Sequence, residues 1–338
     1  MQCSDAETDR VEGGSVPLDS REYFFSENVG GRTAATAADE RISSYKKKFA
    51  QQETGLEIDY RCVRCRDCPQ CKNADRTEKI SLREEAEMVE IRNSVKLDFE
   101  KKEIVCSLPL RGKEEDFLSS NRNKALKVLD QQCSKYYEDV ETRETIVAAF
   151  NKLIDRGHAL KLDELSEELK SEFLGKPVQY HIPWRVVFKI SPTTPTRPVL
   201  DASSGTAKRA DGTGGRCLND LVCKGKVETL HLINMLLRFK VGRHAITGDL
   251  TQFYNSCKLK PNQWNLQRFL FREDLNPDSE ILEFVITTLI YGVKCVSAQT
   301  EHAIALLADH IKENYPELAN FLIRSRYCDD MGDSRASC

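Results

Sequence analysis

Three carboxylates define the most specific chemistry this sequence could perform. Asp249 closes an apolar run in HAITGDLTQFYN, and Asp329 and Asp330 stand side by side in RSRYCDDMGD. Asp329 follows a second apolar run, ANFLI, so each acid sits where a strand end could deliver it. Acids brought together from separate strands can hold two divalent cations. Such a pair activates a hydroxyl nucleophile, steadies a leaving pyrophosphate and neutralises the transition state. Taken singly, each is an ordinary surface or turn acid. The order of the surrounding segments must therefore carry the assignment.

A second constellation is RCVRCRDCPQCK, with Cys62, Cys65, Cys68 and Cys71 at three-residue steps. Thiolates are soft ligands for zinc or an iron–sulfur cluster. A ferredoxin run places its fourth cysteine one residue further on and a proline after it, which favours zinc here. Arg61, Arg64, Arg66 and Lys72 would lower the thiolate pKa values and could touch phosphate. The unbroken spacing strains a single tetrahedral site, so a shared or partial site and unliganded thiols stay open. Cys295 and Cys328, close to the proposed acids, read as small buried hydrophobes. His181, His231, His244 and His302 are too dispersed for a ligand cluster.

The elements that must position these residues follow from composition and periodicity. The chain has 338 residues and 40% hydrophobic content, enough to bury a core in one large or two small domains. The net charge of −3 does not announce a nucleic-acid partner, but residues 61–80 carry six basic and three acidic side chains. No apolar run is long enough to span a bilayer, and MQCSDAETDRVEGG lacks the features of a secretory signal, so a membrane partner is not expected. Residues 1–58 are polar and aperiodic and read as a disordered segment. A Cys-rich linker at 59–75 follows, then a hairpin and helical region at 76–177, then a mixed α+β region at 178–338.

Within these regions, Ser81 and Glu84 have capping-box spacing at the head of a short helix. Val95, Leu97 and Phe99 alternate into a hairpin. Leu126, Leu129, Cys133 and Tyr136 mark one helix, and Ile146, Val147, Phe150, Leu153 and Ile154 a second, closed by Gly157. ELSEELKSEFLG, KVETLHLINMLLRF and SAQTEHAIALLADHIKENY read as helices. VQYHIPWRVVFKI, TRPVLDAS, HAITGDL, QRFLFRE and EFVITTLI read as strands.

In this order the pieces resemble the reverse transcriptase of LTR retrotransposons, most closely the BEL/Pao group. TRPVLDASS looks like the R-x-V-x-D-x-S segment of the fingers, and GGRCLNDLVCKG like the S-LND-ll-G element. GDLTQFYN resembles the first palm motif, LIYGVKCVSAQTEHAIALL the F-G-x-x-x-S-P segment, and YCDD the Y-x-D-D turn. No one piece is specific alone; their joint order is. The resemblance covers roughly 80–338. It implies an α+β fingers–palm fold with an antiparallel palm sheet packed on helices.

Carried over by motif, Asp249, Asp329 and Asp330 are the catalytic acids, with Asp249 and Asp329 holding two Mg²⁺ or Mn²⁺ ions. Arg197 grips the triphosphate, with Lys189 as its companion. Tyr254 stacks under the incoming sugar, and Gly292 and Ser297 line the nucleotide and template side. Asp201 braces the fingers hairpin. Tyr291 stands where the family usually has Phe or Gln, and Ala298 where it has Pro.

The implied partners are an RNA or DNA template-primer and deoxynucleoside triphosphates. The implied location is a cytoplasmic retroelement particle, or the nucleus. The family's primer-gripping hairpin, thumb and ribonuclease H do not fit in MGDSRASC. The sequence therefore reads as a fragment truncated before the thumb, with negligible processive synthesis. Two alternatives stand beside it: a non-catalytic nucleic-acid or zinc-binding module centred on residues 62–71, and an inactive retroelement relic.

Overall fold

The computed structural model of the protein describes residues 82–188, 196–226 and 232–335. The segment 1–58, the four clustered cysteines, Lys189 and His231 lie outside the described residues.

The chain opens with α1 (Leu82–Asn93), which turns Glu87, Met88 and Ile91 inward. The hairpin β1 (Val95–Asp98) and β2 (Glu103–Cys106) follows, with Val95 opposite Cys106. Next come the short α2 (Glu114–Phe117), α3 (Arg122–Tyr136) and α4 (Val140–Asp155). Ala125, Leu129, Cys133 and Tyr136 are buried on α3, and Ile146 and Phe150 on α4, so the expected stripes do face the core. Asp139 caps α4 by accepting from the Thr142 backbone N–H at 3.1 Å. After β3 (Ala159–Lys161), Ser166 caps α5 (Glu167–Phe173) in the same way.

β4 (Trp184–Phe188) and β5 (Thr196–Leu200) form a two-stranded antiparallel hairpin. The short α6 (Leu218–Leu221) and α7 (Leu232–Phe239) lead to β6 (His244–Asp249). β7 (Cys257–Leu259) adds to β2 in parallel, and β8 (Arg268–Phe271) pairs with β9 (Leu282–Ile286), which also pairs with β3. α8 (Val296–Ile311) and α9 (Pro316–Arg324) then precede β10 (Arg326–Tyr327) and β11 (Asp330–Arg335). β11 lies between β10 and β6 in an all-antiparallel three-stranded sheet.

The result is a mixed α+β fold of small, mostly antiparallel sheets and helices. One buried cluster runs from Ile91 through Phe150, Trp184 and Phe271 to Ala303. It draws on residues either side of position 178, and β3 pairs across that position with β9. A smaller cluster (Phe253, Ile304, Ala308, Ala319, Leu322) lies beneath β11, where Met331 packs on it. No helix among the described residues is long and apolar enough to cross a membrane.

Two expectations need correction. ANFLI is the second half of α9, not a strand; only Arg326–Tyr327 extends into the acid pair. Pro316 at the first helical position starts that helix, and Ala319 and Leu322, three apart, bury one face. Among the described residues of VQYHIPWRVVFKI, only Trp184–Phe188 is a strand. The preceding stretch satisfies its backbone against loops instead: the Tyr180 N–H donates to the Asn265 carbonyl and the Ile182 N–H to the Arg268 carbonyl, both at 2.7 Å.

Candidate active site

β6 and β11 bring the distant acids together. Asp249 is the direct cross-strand partner of Asp330. Directly opposite residues of an antiparallel pair share a face of the sheet. The Leu250 N–H donates to the Asp329 carbonyl at 2.8 Å, which fixes the third acid at the same end. Asp249 and Asp330 are exposed and Asp329 is half-buried.

The local sequence makes this close pairing feasible. Gly248 faces Met331, and a Cβ there would stand 3.1 Å from the Met331 Cε. Gly332 lies under Met235 and Phe239 of α7, 3.0 and 3.3 Å from where its Cβ would be. Cys328 and Asp329 form the two-residue turn between β10 and β11, closed by the Tyr327–Asp330 pair. Cys328 takes φ +56°, a left-handed conformation unusual for a residue with a Cβ.

Arg326 anchors that turn. Its guanidinium donates to the Cys328 carbonyl at 2.8 Å and forms a two-point pair with Glu301 of α8. Both side chains are 7% exposed. The same guanidinium lies over the Phe253 ring, 5.6 Å from its centroid.

The other wall comes from the segments after β6 and β9. Gln252 adopts φ +58°, turning the chain so that Phe253 enters the smaller core and Tyr254 points beside the acids. The Tyr254 Oη lies 3.0 Å from the Ser297 Oγ at the start of α8. The Tyr254 and Tyr291 rings meet edge to face at 4.4 Å. Burial pushes the Tyr291 hydroxyl pKa up; the charges of Asp329 and Asp249 add to this, and Arg197 opposes it. The Tyr254 hydroxyl is pushed up by burial too, against the Ser297 hydrogen bond. Tyr291 thus senses Asp249, Asp329 and Arg197 together. It is the residue that sequence reading treated only as a departure from the family pattern.

The loop that carries Tyr291 is tied down through Asn219 of α6. Its amide donates to the Gly292 carbonyl and to the Ser203 Oγ, both at 2.8 Å, and accepts from the Lys294 N–H at 2.9 Å. Gly292 has φ +105°, and a Cβ there would stand 2.4 Å from the Leu200 carbonyl oxygen. Only glycine lets this loop pass the end of β5. Asp201 accepts from the Ser203 N–H at 3.0 Å and shapes the turn after β5. Arg197 sits exposed on β5, paired with Val187 in register.

No protein-family model and no curated protein matches this chain. The site's chemistry is therefore read from its own side chains. Among the described residues, no three His, Cys, Asp or Glu side chains form a preassembled ligand set. Asp249 and Asp330, on one face, with Asp329 in the adjoining turn, are the acids that could share a hard cation. Mg²⁺ characteristically takes one or two carboxylates and completes its shell with water and substrate phosphates, so a two-acid arrangement fits its donor chemistry. Ala298 in place of proline does not prevent α8 from starting at Val296. The next residue, Gln299, is wholly buried and donates to the Ser94 Oγ and the Ser107 carbonyl, both at 2.8 Å.

Of the expected residues, the sheet joins Asp249, Asp329 and Asp330. Tyr254, Ser297 and Gly292 adjoin them, and Arg197 is linked through its charge on Tyr291. Arg326, Glu301 and Asn219 were not foreseen. Their sequence signals are faint: an arginine one residue before the YCDD string, a glutamate inside a helix, and the asparagine of the LND string.

Proposed function

We propose that this chain is the fingers–palm part of an RNA-directed DNA polymerase resembling those of BEL/Pao retrotransposons, acting by two-metal nucleotidyl transfer. The observation that supports this most is the pairing of Asp249 with Asp330, with Asp329 in the adjoining turn. The Tyr254–Tyr291 contact beside the acids supplies an aromatic surface for a sugar and base. Arg197 adds a guanidinium of the kind that grips triphosphate oxygens in two-point fashion. The partners would be a template-primer and deoxynucleoside triphosphates. Two bound Mg²⁺ or Mn²⁺ ions would supply hydroxyl activation and charge neutralisation. The residues' own part is to fix the ions' places, set the nucleotide against the tyrosines and hold the turn rigid through Arg326.

Binding and turnover are measured separately on the full chain. Electron paramagnetic resonance follows Mn²⁺ uptake with dTTP present. Single-nucleotide addition is followed on an oligo-dT primer annealed to poly-rA, with protein in excess. The expected result is saturable Mn²⁺ uptake that Asp249→Asn and Asp330→Asn each abolish, with any addition lost in the same variants. Equal Mn²⁺ uptake by wild type and Asp249→Asn would refute the reading.

A further inference from the structure

A second charged cluster lies away from the acids. Four segments meet at Glu87: α1, the stretch after β2, the stretch after α6, and the loop leading into α8. The Glu87 carboxylate accepts from the Arg83 Nε at 2.8 Å and the Arg111 Nη2 at 2.5 Å. It also accepts from the backbone N–H groups of Lys224 at 2.9 Å and Gly225 at 3.1 Å. All three side chains are under a tenth exposed. Gly225 permits the approach: at φ +68°, its Cβ would stand 2.7 Å from the Ile91 Cγ1. Burial alone would raise the Glu87 pKa, but the two guanidiniums hold it below the usual carboxylate value.

Three cations meet three acids here: Arg83, Arg111 and Lys294 with Glu87, Glu90 and Asp220. Arg83, Arg111 and Lys294 face a carboxylate whose acceptor positions are already filled. The next acid, Asp220, already accepts from the Cys217 N–H at 3.1 Å. The Lys294 ammonium makes no hydrogen bond or ion pair among the described residues. Its pKa is pushed down to about 8, first by burial and then by Arg111. The Arg111 Nε–H is buried without a nitrogen or oxygen acceptor, and the Cys223 thiol lies beside the guanidinium. Lys224 and Lys226, either side of Gly225, are exposed. A basic rim over buried, under-satisfied cations is the layout that draws in and holds an oxyanion.

We propose that this cluster is an oxyanion site for a phosphate group, bound by Lys294 and Arg111 with Lys224 and Lys226 at its rim. The phosphate belongs either to a nucleic-acid backbone or to free inorganic phosphate. The site stands on its own residues, so its failure would leave the acid pair untouched.

Lysine-directed acylation of the full wild-type chain at pH 8, mapped by mass spectrometry, tests it without a variant. Lys294 labels early because its amine is partly deprotonated at that pH; exposed Lys101 is the internal control. Sodium phosphate or a single-stranded thymidylate dodecamer is expected to protect Lys294 and not Lys101. Protection by micromolar oligonucleotide but not by equal phosphate assigns a backbone phosphodiester; equal protection by both assigns free phosphate. Lys294 labelling unchanged by either probe overturns the site. In the oligonucleotide case, Lys294→Met weakens binding about ten-fold, the loss of one charge-assisted contact. It also lowers the slope of log affinity against log salt by about 0.7. Lys294→Arg restores both, with folding of each variant verified by circular dichroism. An unchanged affinity and slope in Lys294→Met would equally overturn the backbone assignment.

Discussion

Arg326 and Glu301 form a buried two-point ion pair that joins the strand entering YCDD to α8. Because the same guanidinium holds the Cys328 carbonyl, the pair sets the height of the acid turn above the helix. Removing one partner strands a buried charge, which costs about 3–5 kcal/mol. Glu301→Gln is therefore expected to lower unfolding stability by that order in urea titration, whereas Glu301→Leu with Arg326→Met is expected to recover most of it. A double variant no more stable than Glu301→Gln would show that the pair is not the main tie.

Gly292→Ala tests the loop crossing. The added methyl meets the Leu200 carbonyl at 2.4 Å in a backbone conformation that already disfavours alanine. The expected loss is about 2–3 kcal/mol. Gly175→Ala, where a Cβ meets nothing within 4 Å, is the matched control and is expected within about 0.5 kcal/mol of wild type. Equal effects at the two positions would show that the clash relaxes freely.

Cys328 holds a left-handed conformation that glycine adopts without strain. Relief of about 1–2 kcal/mol is offset by the greater freedom of glycine in the unfolded chain, about 0.5–1 kcal/mol. Cys328→Gly is accordingly expected to raise stability by up to about 1 kcal/mol, and Cys328→Val to lower it, since a β-branched residue tolerates this region poorly. Thermal unfolding of the three proteins in reducing buffer reads the order directly.

The acid pair was legible from a strand-like run ending at Asp249 and from motif segments in the order of the family they resemble. Most helices were legible from stripes such as Leu126–Leu129–Cys133–Tyr136, which a period near 3.6 makes unambiguous over four turns. ANFLI was not, because a short apolar run suits a strand or one face of a helix equally well. Tyr291 was readable as a departure from the family pattern but not as a neighbour of the acids. Its position depends on Gly292 passing β5 and on Asn219 reaching across the loop, contacts between residues far apart in sequence. Arg326–Glu301 was hidden for the same reason: neither residue type is rare, and only the packing of α8 beneath β10 makes them partners.

Lys294 gives a pH signature facing Arg111, Glu87, Arg83 and Asp220. Its folded-state value is about 8, against 10.5 for an ordinary lysine. Between these values the unfolded chain binds more protons, so this lysine's contribution to stability rises with pH across the window. Below pH 8 both states are protonated and the full penalty of burying the cation is present. Lys294→Met is thus expected to gain most over wild type below pH 8, with the gain shrinking towards pH 10.5. Burial pushes thiols such as Cys217 and Cys223 up to about 11 and about 12, so they titrate in this range only in the unfolded chain, in both proteins, and the difference between the two curves is what isolates Lys294. A gap constant from pH 7 to 10.5 would mean that the ammonium is fully hydrated.

Asp249 and Asp330 face each other as like charges, an arrangement that destabilises an antiparallel pair by a few tenths up to about 1 kcal/mol. In metal-free buffer with chelator, Asp249→Asn is therefore expected to be slightly more stable than wild type. A divalent cation shared by the pair reverses that order. At a concentration ten times its dissociation constant it would add about 1.4 kcal/mol to wild type through binding the folded state alone. The variant, lacking one carboxylate, would gain little. Urea titrations of both proteins with chelator and with millimolar Mn²⁺ read the crossing. If Mn²⁺ stabilises both proteins equally, the ion binds elsewhere and the facing acids are a cost without a ligand.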